Sequence, residues 1–280
     1  MPAKPANAAR PAKPGRPAKS AGPKAPVGKP LAPDAAAAPG NAGKTAPCAQ
    51  PKKPAKAAQT ARPPKALRAR AQAIFSVLAA RYPAPAPMLD FHDAWTLLVA
   101  TVLAAQCTDA RVNMVTPELF RRWPAIADLA QADVLDIEAV VHSTGFYHNK
   151  AKNLKAAAQR VMTVYGGAVP QTMAELVTLP GVARKTANIV LGSAFGINEG
   201  IAVDTHVTRL AFRLDLTKSA DAVVIERDLM PLFDRSQWAD INHCLVLFGR
   251  EVCDARKPKC APAEASPCPL LELCPRKGLK

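Results

Sequence analysis

The sequence predicts an all-α protein, and three observations carry that expectation. Apolar residues recur at helical spacing over most of residues 66–250. No stretch of useful length alternates apolar and polar side chains as a strand would. Helix start and stop signals also punctuate the chain at short intervals.

In chain order, Leu67, Ile74 and Leu78 share one face of a helix that stops at Tyr82-Pro83, and the Pro-Ala-Pro-Ala-Pro run that begins there reads as a linker. Asp90 or His92 can start the next helix, in which Trp95, Leu98, Val99 and Val102 form a stripe and Ala100, Ala104 and Ala105 permit close approach. It ends in Gln106-Cys107-Thr108-Asp109. Thr108 or Asp109 caps a helix reaching Trp123, Pro124 breaks it, and helical patterns follow around 126–129 and 133–141. The Ser143–Lys150 segment interrupts this series with the pair Phe146-Tyr147, after which Leu154, Ala157, Ala158, Val161 and Tyr165 restore a stripe. Two more helices are expected, over about 221–232 and 238–248. In the last of them His243 and Cys244 read as core or helix-face residues, since no partner at ligand spacing accompanies them.

The densest chemical information lies between Thr172 and Arg209. Thr172 and Glu175 have capping-box spacing, so a short helix should begin there and bury Met173, Leu176 and Val177 or Leu179. Pro180-Gly181 ends it. Ala187, Val190, Leu191 and Ala194 then mark a second helix running to Gly196. Two helices joined by a Leu-Pro-Gly-Val turn form a helix-hairpin-helix, whose outward N–H groups and helix N-terminus suit a phosphate. Lys185 falls in the first turn of the second helix, where the macrodipole works against an ammonium, and a neutral amine is a nucleophile. Asp204 precedes a further helical run as a preferred N-cap, which would pin its carboxylate.

Leu-Pro-Gly-Val-Ala-Arg-Lys-Thr-Ala followed by Val-Asp-Thr-His-Val-Thr-Arg resembles the endonuclease III family of DNA glycosylases, in its bifunctional form, and the resemblance covers roughly residues 66–280. It implies two helical domains with a DNA-binding cleft between them. One is a six-helix barrel over 87–199 that contains the helix-hairpin-helix of about 172–195. The other is an iron–sulfur domain assembled from 66–86 and 200–280. It further implies that Lys185 attacks the sugar and Asp204 manages charge. Phe146 would wedge into the duplex and Gln106 would fill the gap left by the departed base. The hairpin residues Leu179, Gly181, Val182 and Ala183 would hold DNA. Two readings stay open beside this one: a monofunctional glycosylase and a catalytically silent helix-hairpin-helix DNA-binding protein. Ala183 stands where the family hairpin usually has a second Gly, a departure that would cost about 1 kcal/mol if the position needs positive φ.

Cys253, Cys260, Cys268 and Cys274 crowd the last 28 residues without any Cys-x-x-Cys pair, a pattern that fits an iron–sulfur cube better than structural zinc. The family carries a 4Fe-4S cluster here with intervals of six, two and five residues; in this chain the middle interval is seven, which predicts a surface bulge. Lys257 lies in the basic loop such a cluster would hold toward phosphates.

Of the formal charge of +15, ten Lys, three Arg and one Asp place +12 in residues 1–65, together with 15 of the 28 prolines and no aromatic residue. Such a segment is expected to be disordered. It can serve as a polycation that raises nonspecific DNA affinity, or only as a solubilising or targeting extension. No run of apolar residues is long enough for a membrane span and no secretory h-region appears, so a soluble intracellular protein is expected. The resemblance implies a monomer in the bacterial cytoplasm, associated with the nucleoid. Its partner would be double-stranded DNA carrying a damaged base or an abasic site.

Overall fold

A computed structural model describes residues 63–260 and 266–279. The disorder expected for the basic segment falls almost wholly outside the described residues, and so does most of the expected bulge after Cys260. Eleven α-helices and three short 3-10 turns make up the described regular structure, with no strand among the described residues.

The apolar side chains gather into two separate cores. The first is drawn from residues 89–191 and is built around α2 (Ala94–Leu103). Every residue of α2 from Trp95 to Leu103 is buried, because α6 (Tyr147–Val164) and α8 (Arg184–Phe195) pack against it, as does α3 (Asp109–Arg122). A helix enclosed on all sides has no polar face to show, so the single stripe read from sequence understated its burial. Its cap is Asp93, not Asp90 or His92: Asp93 Oδ1 accepts from the Thr96 N–H at 2.7 Å, and Thr96 Oγ1 accepts from the Asp93 N–H at 3.1 Å. The short helices α4 (Ile126–Gln131) and α5 (Val134–Val141) lean on α6 and close the barrel.

The second core joins α1 (Lys65–Arg81) to segments far along the chain, namely α9 (Thr205–Arg213), α10 (Ala222–Leu229) and α11 (Trp238–Glu251). Ile74 and Leu78 of α1 pack with Leu210, Leu229, Leu245 and Phe248. The expected helix over 221–232 is split, with a 3-10 turn over Met230–Leu232, because Pro231 cannot donate to an α-helical ladder.

The hairpin helix α7 (Met173–Leu176) is a single turn. Thr172 Oγ1 accepts from the Glu175 N–H at 3.3 Å, but the Glu175 carboxylate returns to the Thr172 hydroxyl at 2.7 Å instead of the backbone, so only half of the expected capping box forms. Leu176 and Leu179 are buried, while Val177 is exposed. At the far end Gly196 takes φ 67° and closes α8 by donating to the Leu191 carbonyl.

Candidate active site and cysteine centre

Lys185 and Asp204 line the same cleft, of about 530 Å³, whose walls come from both cores. Gln106, Ala183, Asn242 and His243 also line it. Lys185 is the second residue of α8 and reaches the cleft from the first core. Asp204 is the N-cap of α9, its Oδ1 accepting from the Val207 N–H at 2.8 Å, so one carboxylate oxygen is fixed and the other is free to face the cleft.

The hairpin turn owes its shape to Gly181, at φ 80°; a Cβ there would come within 3.0 Å of Asn153 on α6. Ala183 is the N-cap of α8 with φ −95° and ψ 170°, an extended conformation that any residue adopts. The cost expected at Ala183 therefore does not arise, since the positive φ belongs to Gly181. No side chain caps α8, which leaves its first-turn N–H groups to an outside acceptor. Leu179 and Val182 turn their side chains into the core, so these two can offer only backbone to a ligand.

Two of the expected DNA-contacting residues, Gln106 in the cleft wall and Phe146, have unusual backbone. Gln106 has φ 53° and Phe146 has φ 50°, both left-handed, and Phe146 is the N-cap of α6 with 64% of its surface exposed. A bulky residue held at positive φ with its ring in solvent costs stability and gains nothing from the core.

Several cleft residues gave little or no sequence signal of a role. His206 lies two residues beyond Asp204, and its Nδ1 accepts from Arg209 Nη2 at 3.1 Å, which leaves the proton on Nε2. Burial pushes the His206 pKa down, with Asp204 and Asp109 opposing that shift and Arg209 and Arg250 adding to it. Arg250 pairs with Asp109 at 2.6 Å, tying α11 to the start of α3 beside the cleft. His206 could have been noticed from its place in the Val-Asp-Thr-His run. Arg250 and Asp109 lie 141 residues apart, and nothing local links them.

The four C-terminal cysteines line one apolar cavity with Leu210, Leu214, Phe248 and Leu270. Arg213 Nη1 donates to Cys253 Sγ at 3.2 Å and to the Asp254 carbonyl at 2.7 Å. Ser266 closes the longer middle interval: its hydroxyl donates to the Lys259 carbonyl at 2.8 Å and accepts from the Cys268 N–H at 3.2 Å. Burial pushes the Cys268 and Cys274 thiols up, and the neighbouring cysteines raise them further. Four thiols facing one dry cavity beside a buried guanidinium fit an anionic thiolate-bound cluster, because thiolates alone would repel one another there. Among the described residues no group of His, Cys, Asp or Glu is drawn together tightly enough for a single metal ion. Lys257 is exposed in the following loop, which Asp254 shapes by accepting from the Arg256 and Lys257 N–H groups at 2.8 and 3.1 Å.

A helix-hairpin-helix presenting an amine to a cleft between two helical lobes defines a class, and residues 99–235 match the model of the HhH-GPD superfamily of base excision DNA repair proteins. Within that class the chain belongs to the endonuclease III family. It is 51% identical over 206 residues to the endonuclease III of Synechocystis sp., covering 74% of this chain and 92% of that one. The solved structure of a non-covalent endonuclease III–DNA complex superposes with a TM-score of 0.70 at 36% identity, covering 75% of this chain and 95% of that one. That of a trapped endonuclease III–DNA covalent intermediate gives 0.69 at 37% identity, covering 75% and 96%. Among the described residues no helix is long and apolar enough to cross a membrane.

Proposed function

We propose that this protein is a base-excision-repair DNA glycosylase with AP lyase activity, acting on duplex DNA that carries an oxidised pyrimidine or an abasic site. The observation that carries this reading is the shared cleft, into which one core brings Lys185 and the other Asp204. In the proposed chemistry the Lys185 amine attacks C1′ of the damaged nucleotide and the C1′–N bond breaks, the base leaving with a proton. The C1′–O4′ bond then breaks as O4′ takes up a proton, and the opened sugar stays joined to Lys185 as a protonated Schiff base. Loss of a C2′ proton moves electrons toward the iminium and expels the 3′ phosphate, which cuts the strand by β-elimination. Asp204 stabilises positive charge developing on the sugar and accepts the amine's proton.

In this reading the two cores are two domains, 87–199 and 66–86 with 200–280. The hairpin residues Leu179, Gly181, Val182 and Ala183 grip a phosphate through backbone N–H groups. Phe146 enters the stack, Gln106 fills the vacated position, and Lys257 meets the DNA backbone. Cys253, Cys260, Cys268 and Cys274 hold a 4Fe-4S cluster, which when bound supplies structural order to the basic loop and no redox step. The protein acts as a monomer in the bacterial cytoplasm, close to the nucleoid.

Borohydride trapping on DNA with an abasic site tests the reading directly. The protein should give a covalent adduct and Lys185→Ala none. A monofunctional glycosylase and a silent DNA-binding module both predict no adduct from the unaltered chain.

A further inference from the structure

Lys150 of α6 is only 5% exposed, and neither of its hydrogen-bond partners is an acid. Its Nζ donates to the Leu103 and Thr144 carbonyls, each at 2.8 Å. Leu103 is the last residue of α2, and Thr144 ends the 3-10 turn His142–Thr144. Both carbonyls lie at the negative ends of helical segments, where a cation is favoured. Three residues past Leu103 comes Gln106, which lines the cleft, and two past Thr144 comes Phe146; both are left-handed.

A buried ammonium is a costly way to fill space, and burial does lower the Lys150 pKa. A methionine of similar length would pack this position without desolvating a charge. The arrangement does what a methionine could not, which is to join the chain leading into one duplex-facing loop to the chain leading into the other.

We infer that Lys150 is a positioning residue that locks the Gln106 loop and the Phe146 loop into one unit, so that both enter opened DNA in register. The inference rests on the proposed reading that these two side chains enter the duplex. With the lock intact, neither loop pays to be ordered when the base pair opens. Without it, each must find its bound backbone separately, while the amine in the cleft is untouched.

The test uses the full chain and its Lys150→Met and Lys150→Gln variants, the second keeping a donor for one carbonyl should the first fold poorly. Strand cleavage is measured on two substrates: a lesion in fully paired duplex, and an abasic site inside an unpaired bubble that asks little of either loop. Both variants should lose about tenfold or more in kcat on paired duplex, with Lys150→Gln less affected, and stay within about twofold of the parent on the bubble. Lys150→Met combined with Gln106→Ala should fall no further on paired duplex than the worse single variant. Equal losses on both substrates would overturn the inference, because damage to fold or chemistry does not discriminate between them, and so would an unchanged paired-duplex rate. Gln106→Ala and Phe146→Ala run alongside. If they leave paired-duplex cleavage intact, the reading of the loops fails and takes the lock with it. If they fall while the Lys150 variants do not, the lock alone is wrong.

Discussion

Glu226 and Arg184 meet at 2.7 Å, and the other oxygen of the same buried carboxylate accepts from Asn188 Nδ2 at 2.9 Å. One side chain of α10 therefore holds α8 on both sides of Lys185. Removing it leaves the Asn188 amide buried without an acceptor and the half-exposed Arg184 without its partner. Glu226→Ala should cost about 2 kcal/mol, or roughly 4–8 °C in the thermal midpoint. Gly200 packs so closely here that a Cβ would overlap the Glu226 carboxylate. Gly200→Ala should cost about 1–3 kcal/mol, and the double variant should fall short of the sum, since both act on one carboxylate. Calorimetry of the three proteins checks this.

Asp204 caps α9, and the proposed reading gives it a second task that one substitution separates from the first. Asn caps a helix about as well as Asp, so Asp204→Asn should keep the bond to the Val207 N–H and change stability by less than about 0.5 kcal/mol. It removes the negative charge, and turnover on a damaged-base duplex should fall on the order of a hundredfold. Asp204→Ala should lose the cap as well, about 1 kcal/mol. A stable Asp204→Asn protein with full turnover would leave Asp204 as a cap and nothing more.

His243 is buried, with Nε2 at 3.1 Å from Ser193 Oγ, and burial pushes its pKa down to about 4 from 6.5. The folded state thus prefers the neutral ring. Above pH 6.5 the stability is fully present; as pH falls toward 4, the unfolded chain takes up the proton first and stability is lost, by on the order of 3 kcal/mol in all. The thermal midpoint should drop between pH 7 and pH 5, and His243→Gln should flatten that slope.

The cysteine centre makes a prediction independent of catalysis. Anaerobically purified protein should contain about four iron and four sulfide per chain, and Cys268→Ala should lower both. Stoichiometric zinc would replace the cluster assignment. Ser266→Ala should weaken iron retention without removing a ligand, because it loosens the tie between Lys259 and Cys268.

The basic N-terminal segment can be judged by salt. Deleting residues 1–62 should reduce the slope of log affinity against log salt for undamaged duplex while leaving single-turnover cleavage at its former rate. An unchanged slope would assign the segment no part in binding.

What could be read from the chain alone was what local physics determines. The apolar spacing of Ala187, Val190 and Leu191 and the stop at Gly196 gave α8 almost to the residue, and an acid before a helical run gave Asp204 as a cap. Contacts made in three dimensions left no local mark. Glu226 reaches Arg184 and Asn188 across 42 and 38 residues, and each of the three alone reads as an ordinary polar helix residue. Lys150, four residues after an exposed Phe, reads as a surface cation until the two carbonyls beside it are known. The cost at Ala183 stayed conditional for a related reason: departure from a family's glycine is visible in sequence, whereas the angle at that position, φ −95°, is not.

The hydroxyl bridge from Ser266 to Lys259 separates two quantities that are usually linked, the number of residues between Cys260 and Cys268 and the place where those two thiols arrive. With the two ends stapled, lengthening the intervening chain costs only the slow logarithm of loop closure. Residues inserted after Cys260 should therefore leave the iron and sulfide content of the purified protein close to that of the parent.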